Sequence, residues 1–179
     1  MTTNAMIDIE TLDTSPSSVV LSVGGVKFNP FSTEEPWDKV HWRLDIETQL
    51  GMGRTTSEST LEWWSKQDQA IQDDAFSEDN RVDLHEFIKD LNKWVTGADE
   101  IWCQGPQFDM VILEDLFKQL DHHKNWQFWQ IRDSRTLFKM LPEDPRKDVQ
   151  EDAHNAMADA YWQAKCVQQA YKHFGVQKR

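Results

Sequence analysis

AMIDIETLDTSPSSVVLSVGGVKF, residues 5–28, is the stretch from which the architecture can be inferred, because it holds two apolar runs separated by turn-forming residues. Residues 5–10 alternate between isoleucine and acidic side chains, which is the period of a β-strand with one apolar and one acidic face. Residues 18–28 predict a second, mostly buried strand. The Asp, Ser and Pro residues between the runs favour a turn. The sheet is therefore predicted to begin with an antiparallel pair.

Outward from this pair the hydrophobic period changes from strand to helix. Residues 40–48 alternate and predict a third antiparallel strand, and Ser57 and Asp83 are predicted N-caps of two helices. Two later strands and a long closing helix are predicted at residues 100–104, 127–131 and 155–174. A helix follows each of the later strands, which is typical of parallel pairing. The order predicts one α/β domain over residues 1–179, with a mixed sheet between two layers of helices.

Composition narrows the class of protein. The chain has 31 acidic and 19 basic residues, so its net charge of −12 argues against a broad, sequence-independent clamp on nucleic acid, which would need many Lys and Arg residues. With 39% hydrophobic residues, no apolar run approaches the length of a membrane span, and the first residues do not resemble a secretory signal. We expect no membrane partner and a cytoplasmic location, in the host cytoplasm if the protein is phage-encoded. Cys103 and Cys166 lack zinc-site spacing and are predicted to be reduced core thiols.

Asp8 and Glu10 are the first candidates for a functional site. Two residues apart on a strand, their carboxylates point to the same face and can reach a single hard cation. The alternative is a solvated sheet face, which antiparallel strands often have. Helices are expected to cover this face, and two unpaired carboxylates under a helical layer would be costly without a cation, so the metal site is favoured.

Three further residues lie at predicted helix starts. Asp109 falls in the first turn of its helix, where favourable interaction with the helix dipole alone could explain an acid. His154 and Asp159 are five residues apart, or about 140° on a regular helix, so they can share a site only if His154 precedes a helix capped by Asn155. The alternatives are a loop histidine without a role and another first-turn acid.

The joint pattern of DIET at residues 8–11, GPQFD at 105–109 and H-x4-D at 154–159 resembles the DEDD superfamily of 3′-to-5′ exonucleases, in the branch that uses histidine (DEDDh). DIETLDTSPSSVVLSVGGVKF, WCQGPQFDMVIL, RDSRTL and HNAMADA are most similar to a small group of mycobacterial-type exoribonucleases and phage exonucleases. The resemblance covers nearly the whole chain. It implies an RNase H-like, three-layer α/β fold with a mixed five-stranded sheet flanked by helices.

The resemblance also implies roles for the candidates. The four acids of the family fall on Asp8, Glu10, Asp109 and Asp159 as ligands of two Mg²⁺ or Mn²⁺ ions, and its general base falls on His154. Oxygen-only ligands suit these metals. The polar loop at residues 142–152 is expected to gate the site.

Substrate contacts are expected to be limited to the 3′ end of a single strand. Stacking on aromatic side chains would hold it, and of the adjacent Trp63 and Trp64 one is expected in the core and the other exposed. The resemblance suggests Thr11 and Leu12 near the terminal base, with Leu12 as the wedge because the familiar DIETTGL is DIETLDT here. Two arginines, Arg132 and Arg135, are candidates either to bind a phosphate or to brace the site acids. The relatives also suggest a homodimer.

The predicted function is a metal-dependent 3′-to-5′ exonuclease that releases nucleoside 5′-monophosphates from single-stranded RNA or short oligonucleotides. A DNA exonuclease of the phage kind would use the same five residues. An inactive RNase H-like binding module is the non-enzymatic alternative, and the intact set of site residues disfavours it.

Overall fold

A mixed sheet of six strands runs through the molecule. The computed structural model describes residues 2–147 and 154–178, so the predicted loop at residues 142–152 lies partly outside the described residues. The strands are β1 (Asn4–Thr11), β2 (Val20–Phe28), β3 (Trp37–Leu44), β4 (Arg81–Val82), β5 (Glu100–Cys103) and β6 (Ile131–Asp133). Their order is β4-β3-β2-β1-β5-β6. The pairs β1–β2 and β2–β3 are antiparallel, whereas β5 and β6 continue the sheet in parallel, as predicted.

Helices connect and cover these strands. They are α1 (Ile46–Gly51), α2 (Glu58–Ser65), α3 (Gln69–Phe76), α4 (Leu84–Val95), α5 (Pro106–Gln119), α6 (Ser134–Lys139) and α7 (Ala156–Phe174). The predicted N-caps Ser57, Asp83 and Asn155 each accept a hydrogen bond from a backbone N–H of the first turn. None of the described helices is both long and apolar enough to cross a bilayer.

The sheet differs from the prediction at three places. The prediction of five strands was wrong because the two-residue β4, which pairs with β3, is too short to show a period in the sequence. The third strand ends at Leu44 instead of residue 48, because the Asp45 side chain caps α1 through the Thr48 amide. The strand predicted at 127–131 is a 3₁₀ turn at Phe128–Gln130 followed by β6.

The two faces of β1 bury different layers. Ile7 and Ile9 belong to the core shared with α4 and α5, whereas Met6 belongs to the core shared with α6 and α7. Because side chains alternate along a strand, Asp8 and Glu10 lie on the Met6 face, below α7. The predicted three-layer arrangement is therefore confirmed, and the two acids face a layer that a helix covers.

The cysteines behave as predicted. Cys103 ends β5 and Cys166 lies on α7, and both are buried and free.

Candidate active site

The two acids of β1 are held beneath the first turns of α7. Asp8 Oδ1 accepts a hydrogen bond of 2.9 Å from Gln163 Nε2, which lies on α7. Burial raises the pKa of both Asp8 and Glu10 well above the usual range, and neighbouring carboxylates raise it further. The ionised pair is thus unfavourable here unless a cation compensates it.

Asp109 approaches β1 from the opposite layer. Gly105, with φ of 106°, turns the chain from β5 into α5, and Pro106 follows in the first turn. β5 pairs with β1 only as far as Met6, and farther along β1 the Ile9 N–H donates to Asp109 Oδ1 at 3.2 Å. The Asp109 side chain is buried, which raises its pKa to about 7.

His154 and Asp159 meet at the start of α7. His154 lies just before the helix with φ of 68°, and its backbone N–H donates to Asp159 Oδ2 at 3.0 Å. Because His154 lies outside the helix, its side chain and that of Asp159 can reach one site. On a regular helix, residues five apart would point about 140° away from each other. Burial raises the pKa of Asp159 to about 6 and lowers the pKa of His154 below its ordinary value.

The His154 ring packs edge-on against Trp63 of α2, with 4.8 Å between ring centroids. The neighbouring Trp64 is buried and donates its indole N–H to Thr11 O at 2.9 Å. Trp63 remains 42% exposed, so the prediction of one core and one exposed tryptophan is confirmed.

One cleft of about 540 Å³ is lined by all five candidate side chains, Asp8, Glu10, Asp109, His154 and Asp159. Ligand atoms of Glu10, His154 and Asp159 lie within 4.8 Å of one another, close enough to hold a metal ion. Asp109 is buried and the other three carboxylates are half-buried, and the pKa of each is raised. Carboxylate oxygens with one imidazole form a donor set that fits hard divalent cations. The other residues that line the cleft are Ile9, Trp63, Gln104, Phe108, Arg135, Arg146, Trp162 and Gln163.

The four predicted substrate contacts are placed differently from one another. Arg135 lines the cleft and donates to Gln104 O at 3.1 Å, and its positive charge offsets part of the rise in the pKa of Asp109. Arg132 does not line it: its guanidinium pairs with Glu100 at 2.7 Å.

The prediction that Leu12 wedges against a base is corrected by its position. Leu12 is 5% exposed and packs with Val19, Leu21 and Trp64, because the turn after β1 folds it into a small core of its own. Thr11, one residue earlier, lines a second cleft that adjoins the first, although its hydroxyl donates to Asp13 O.

The second cleft has a volume of about 410 Å³ and shares Ile9, Glu10, Trp63 and Phe108 with the first. Sequence reasoning did not identify Phe108 or Gln163 as site residues. Gln163 could have been found, because it follows Asp159 by four residues and so lies on the same face of α7. Phe108 directly precedes Asp109, but its sequence pattern is that of a core residue.

Comparisons with known proteins agree with this geometry. Residues 3–171 match the model of the family described as 3'-5' exoribonuclease Rv2179c-like domain. An exodeoxyribonuclease of Enterobacteria phage T4 is 26% identical over 161 residues, which cover 76% of this chain and 70% of the phage protein.

Solved structures show the same fold. The zinc-bound complex of E. coli exonuclease I with single-stranded DNA superposes with a TM-score of 0.68 at 11% identity, covering 97% of this chain. The match covers 41% of the exonuclease I chain, so this chain spans about two fifths of that enzyme. The nuclease domain of 3'hExo bound to rAMP, a DEDDh family member, has a TM-score of 0.61 at 14% identity and covers 99% of this chain and 94% of its own. The chain therefore belongs to the 3'-5' exoribonuclease Rv2179c-like domain family of 3′-to-5′ exonucleases and has an RNase H-like fold.

Proposed function

We propose that the protein hydrolyses single-stranded RNA and short oligonucleotides from the 3′ end and releases nucleoside 5′-monophosphates. The observation that carries this proposal is the convergence of four carboxylates and one histidine, from β1, α5 and the start of α7, on one cleft. A solvated sheet face, an acid at a helix start or a loop histidine could explain each of these residues alone. None of these explains why all five line the same cleft.

Asp8, Glu10, Asp109 and Asp159 would hold two Mg²⁺ or Mn²⁺ ions. When bound, such ions lower the pKa of the attacking water and stabilise the charge that develops on the leaving 3′ oxygen. The raised pKa values of the four carboxyl groups support this role, because burial disfavours their ionised forms and a bound divalent cation would stabilise those forms.

His154 is the proposed general base. Its ring lines the cleft, and burial lowers its pKa, so the imidazole is neutral and able to accept a proton near pH 7. Trp63 packs against one side of the ring and restricts its orientation.

The second cleft is the proposed place of the terminal base. Trp63 and Phe108 offer apolar surfaces for stacking, which is largely independent of sequence. Its volume of about 410 Å³ suits a ligand of nucleoside size. Arg135 and Arg146 in the first cleft supply positive charge for the phosphates.

A DNA substrate is the second candidate. The T4 relative is named an exodeoxyribonuclease, and the same site residues would cleave either backbone. The two readings differ in the sugar that the site accepts.

The test is digestion of matched 5′-labelled RNA and DNA oligomers with Mg²⁺ and with Mn²⁺. We expect stepwise shortening of the labelled strand, faster on RNA. Faster digestion of DNA would replace the RNA proposal with the second candidate, and early release of labelled mononucleotide would contradict the 3′-to-5′ polarity.

Site-directed variants test the metal ligands in the same assay. Asp8→Asn and Glu10→Ala should abolish turnover and weaken Mn²⁺ binding in calorimetry, whereas the exposed control Asp79→Asn should match the parent. Unchanged Mn²⁺ binding in both site variants would contradict the metal assignment. A parent protein that binds the oligomers without cleaving them would support the inactive binding module instead.

A further inference from the structure

Two imidazole rings face each other on the surface, away from the active-site cleft. His85 Nδ1 and His122 Nε2 lie 2.8 Å apart, with ring centroids separated by 5.1 Å and ring planes inclined by 51°. His85 is exposed in the first turn of α4, and His122 is half-buried shortly after the end of α5. Two ring nitrogens this close repel each other unless one ring donates its N–H to the other or both rings bind one cation.

The backbone at each histidine is held in place. The His85 N–H donates to the Asp83 cap at 2.9 Å, and the His122 N–H donates to Phe117 O at 2.9 Å. Each histidine is therefore attached to the regular part of its own helix.

Asn92 fixes the two elements to one another. Its Nδ2 on α4 donates to His123 O at 2.8 Å, while its Oδ1 accepts from the Asn125 N–H at 2.9 Å. The backbones that carry the two imidazoles are thus held at a separation set by the fold. Such preorganisation reduces the entropy cost of binding a ligand between them.

We propose that His85 and His122 form a binding site for a divalent transition-metal ion of the zinc, nickel and copper class. Imidazole nitrogen suits these ions, whereas Mg²⁺ and Ca²⁺ prefer oxygen. Nitrogens bound at about 2.0 to 2.1 Å to one tetrahedral ion lie about 3.3 Å apart. Rotation of the exposed His85 side chain supplies the small opening that this requires. Water completes the coordination.

The net charge of the chain, rather than the cleft beside the pair, favours a cation. The cleft beside His122, about 540 Å³ in volume, is lined by the carboxylates Glu114, Asp115 and Asp121 and by two lysines. Glu114 pairs with Lys124 and Asp115 pairs with Arg54, so the charges within this cleft largely balance. The long-range attraction for a cation comes from the net charge of −12 on the chain.

The site is separate from the catalytic acids. Asp109 lies in the first turn of α5 and His122 just beyond its last turn, and a helix of 14 residues is about 20 Å long. An ion held by the histidine pair therefore shares no ligand with the active site.

Calorimetric titration of the full chain with Zn²⁺ and with Ni²⁺ tests the proposal. The wild type should bind one equivalent more of each ion than His85→Gln or His122→Ala. The neighbouring His123→Ala and the distant His173→Ala should keep the wild-type stoichiometry. If both pair variants also keep it, the proposal is overturned.

Thermal unfolding provides a second readout. Zn²⁺ at about 100 times its Kd should raise the Tm of the control His173→Ala. The rise in the control should be larger than any rise in His85→Gln by roughly 5 °C or more. His85→Gln changes an exposed side chain, so it keeps the comparison valid if His122→Ala unfolds. An equal Tm rise in His85→Gln and the control would overturn the proposal. Mg²⁺-dependent cleavage by His85→Gln should equal that of the wild type, which separates this test from that of the proposed exonuclease.

Discussion

Gln163 is the residue that connects the helix of the active site to its first acid. Its Nε2 donates to Asp8 Oδ1, while its Oε1 has no hydrogen-bond partner among the described residues. The bond occupies one of the two carboxylate oxygens of Asp8, which lines the cleft. Such a contact behind a ligand fixes ligand orientation, and its loss typically costs about 10- to 100-fold in metal affinity or activity.

Gln163→Leu, which replaces the side chain by a shorter apolar one and so removes the N–H donor, should therefore require about 10-fold more Mn²⁺ for half-maximal cleavage. The matched control is Gln169→Leu, on the exposed face of the same helix. Titration of activity with Mn²⁺ is the measurement. An unchanged Mn²⁺ requirement would mean that Gln163 only packs against Asp8.

His154 carries the pH dependence of the rate. Burial lowers the pKa of His154 below the ordinary value of about 6.5, so the neutral imidazole begins to dominate at a lower pH than in a free histidine. Nearby metal cations would shift the pKa in the same direction. Single-turnover cleavage should therefore rise with pH through this lowered pKa and then level off.

His154→Ala should lower kcat by about 10²- to 10⁴-fold and remove this rise, since general-base catalysis is lost while the four carboxylates remain. The measurement is single-turnover cleavage of a 5′-labelled oligomer between pH 5 and 8. Rates equal to the parent at every pH would leave His154 as a loop residue without a role.

At the level of elements, the position of α7 depends on one glycine of β2. Gly24 pairs with Asp8, and a Cβ at this position would lie 2.1 Å from the carbonyl carbon of Ala156 and the nitrogen of Met157. The first turn of α7 thus rests directly on the backbone of the sheet. This close approach brings Asp159 and His154 over the acids of β1.

Gly24→Ala should displace the start of α7, abolish most activity and lower the stability by about 1 to 3 kcal/mol, the usual cost of overpacking. Gly51→Ala is the control, because a Cβ there meets nothing within 4 Å. Activity assays and thermal unfolding of both variants provide the comparison. A fully active Gly24→Ala protein would show that α7 can shift without disturbing the site.

Across the whole molecule, the buried acids make metal-free stability depend on pH. The pKa of Asp109 is about 7 and that of Asp159 about 6, whereas an unfolded Asp has a pKa of about 3.9. Between these values the folded state binds more protons than the unfolded state, so the free energy of unfolding falls as pH rises. The loss is fully developed once pH exceeds the folded pKa values.

Without divalent ions, the Tm of the wild type should therefore fall between pH 5 and pH 8. Asp109→Asn should make this fall in Tm smaller and reduce the accompanying loss of unfolding free energy by an amount on the order of a few kcal/mol, because the amide cannot ionise and can still accept the Ile9 N–H. Asp90→Asn, on an exposed face of α4, is the control. A lower Tm for Asp109→Asn at pH 8 would favour the helix-dipole role of this acid.

The homodimer expected from the resemblance stays a prediction, which light scattering at micromolar protein concentration would check. The binding of a nucleic-acid 3′ end likewise depends on the cleavage experiments described for the proposed function.

Local patterns in the sequence predicted the strands of the hairpin and the caps of the main helices, and they offered five candidate residues that the family resemblance then joined into one site. Each depends on neighbours within a few residues: the alternation of Asp8 and Glu10 with isoleucine, and the N-cap Asn155 that leaves His154 outside α7. The period of a strand or helix fixes which side chains share a face, and this can be read without knowing what packs there.

Only the tertiary structure decided how distant segments meet. It placed Gln163 against Asp8, α7 on Gly24, Leu12 in a small core and His85 beside His122. Gln163 and Asp8 are 155 positions apart, and His85 and His122 are 37 positions apart. Such contacts arise when distant segments pack together, and this packing leaves no periodic signal in the chain. The sequence by itself therefore identified the chemical groups, whereas the separation and surroundings of those groups follow from the way the helices close over the sheet.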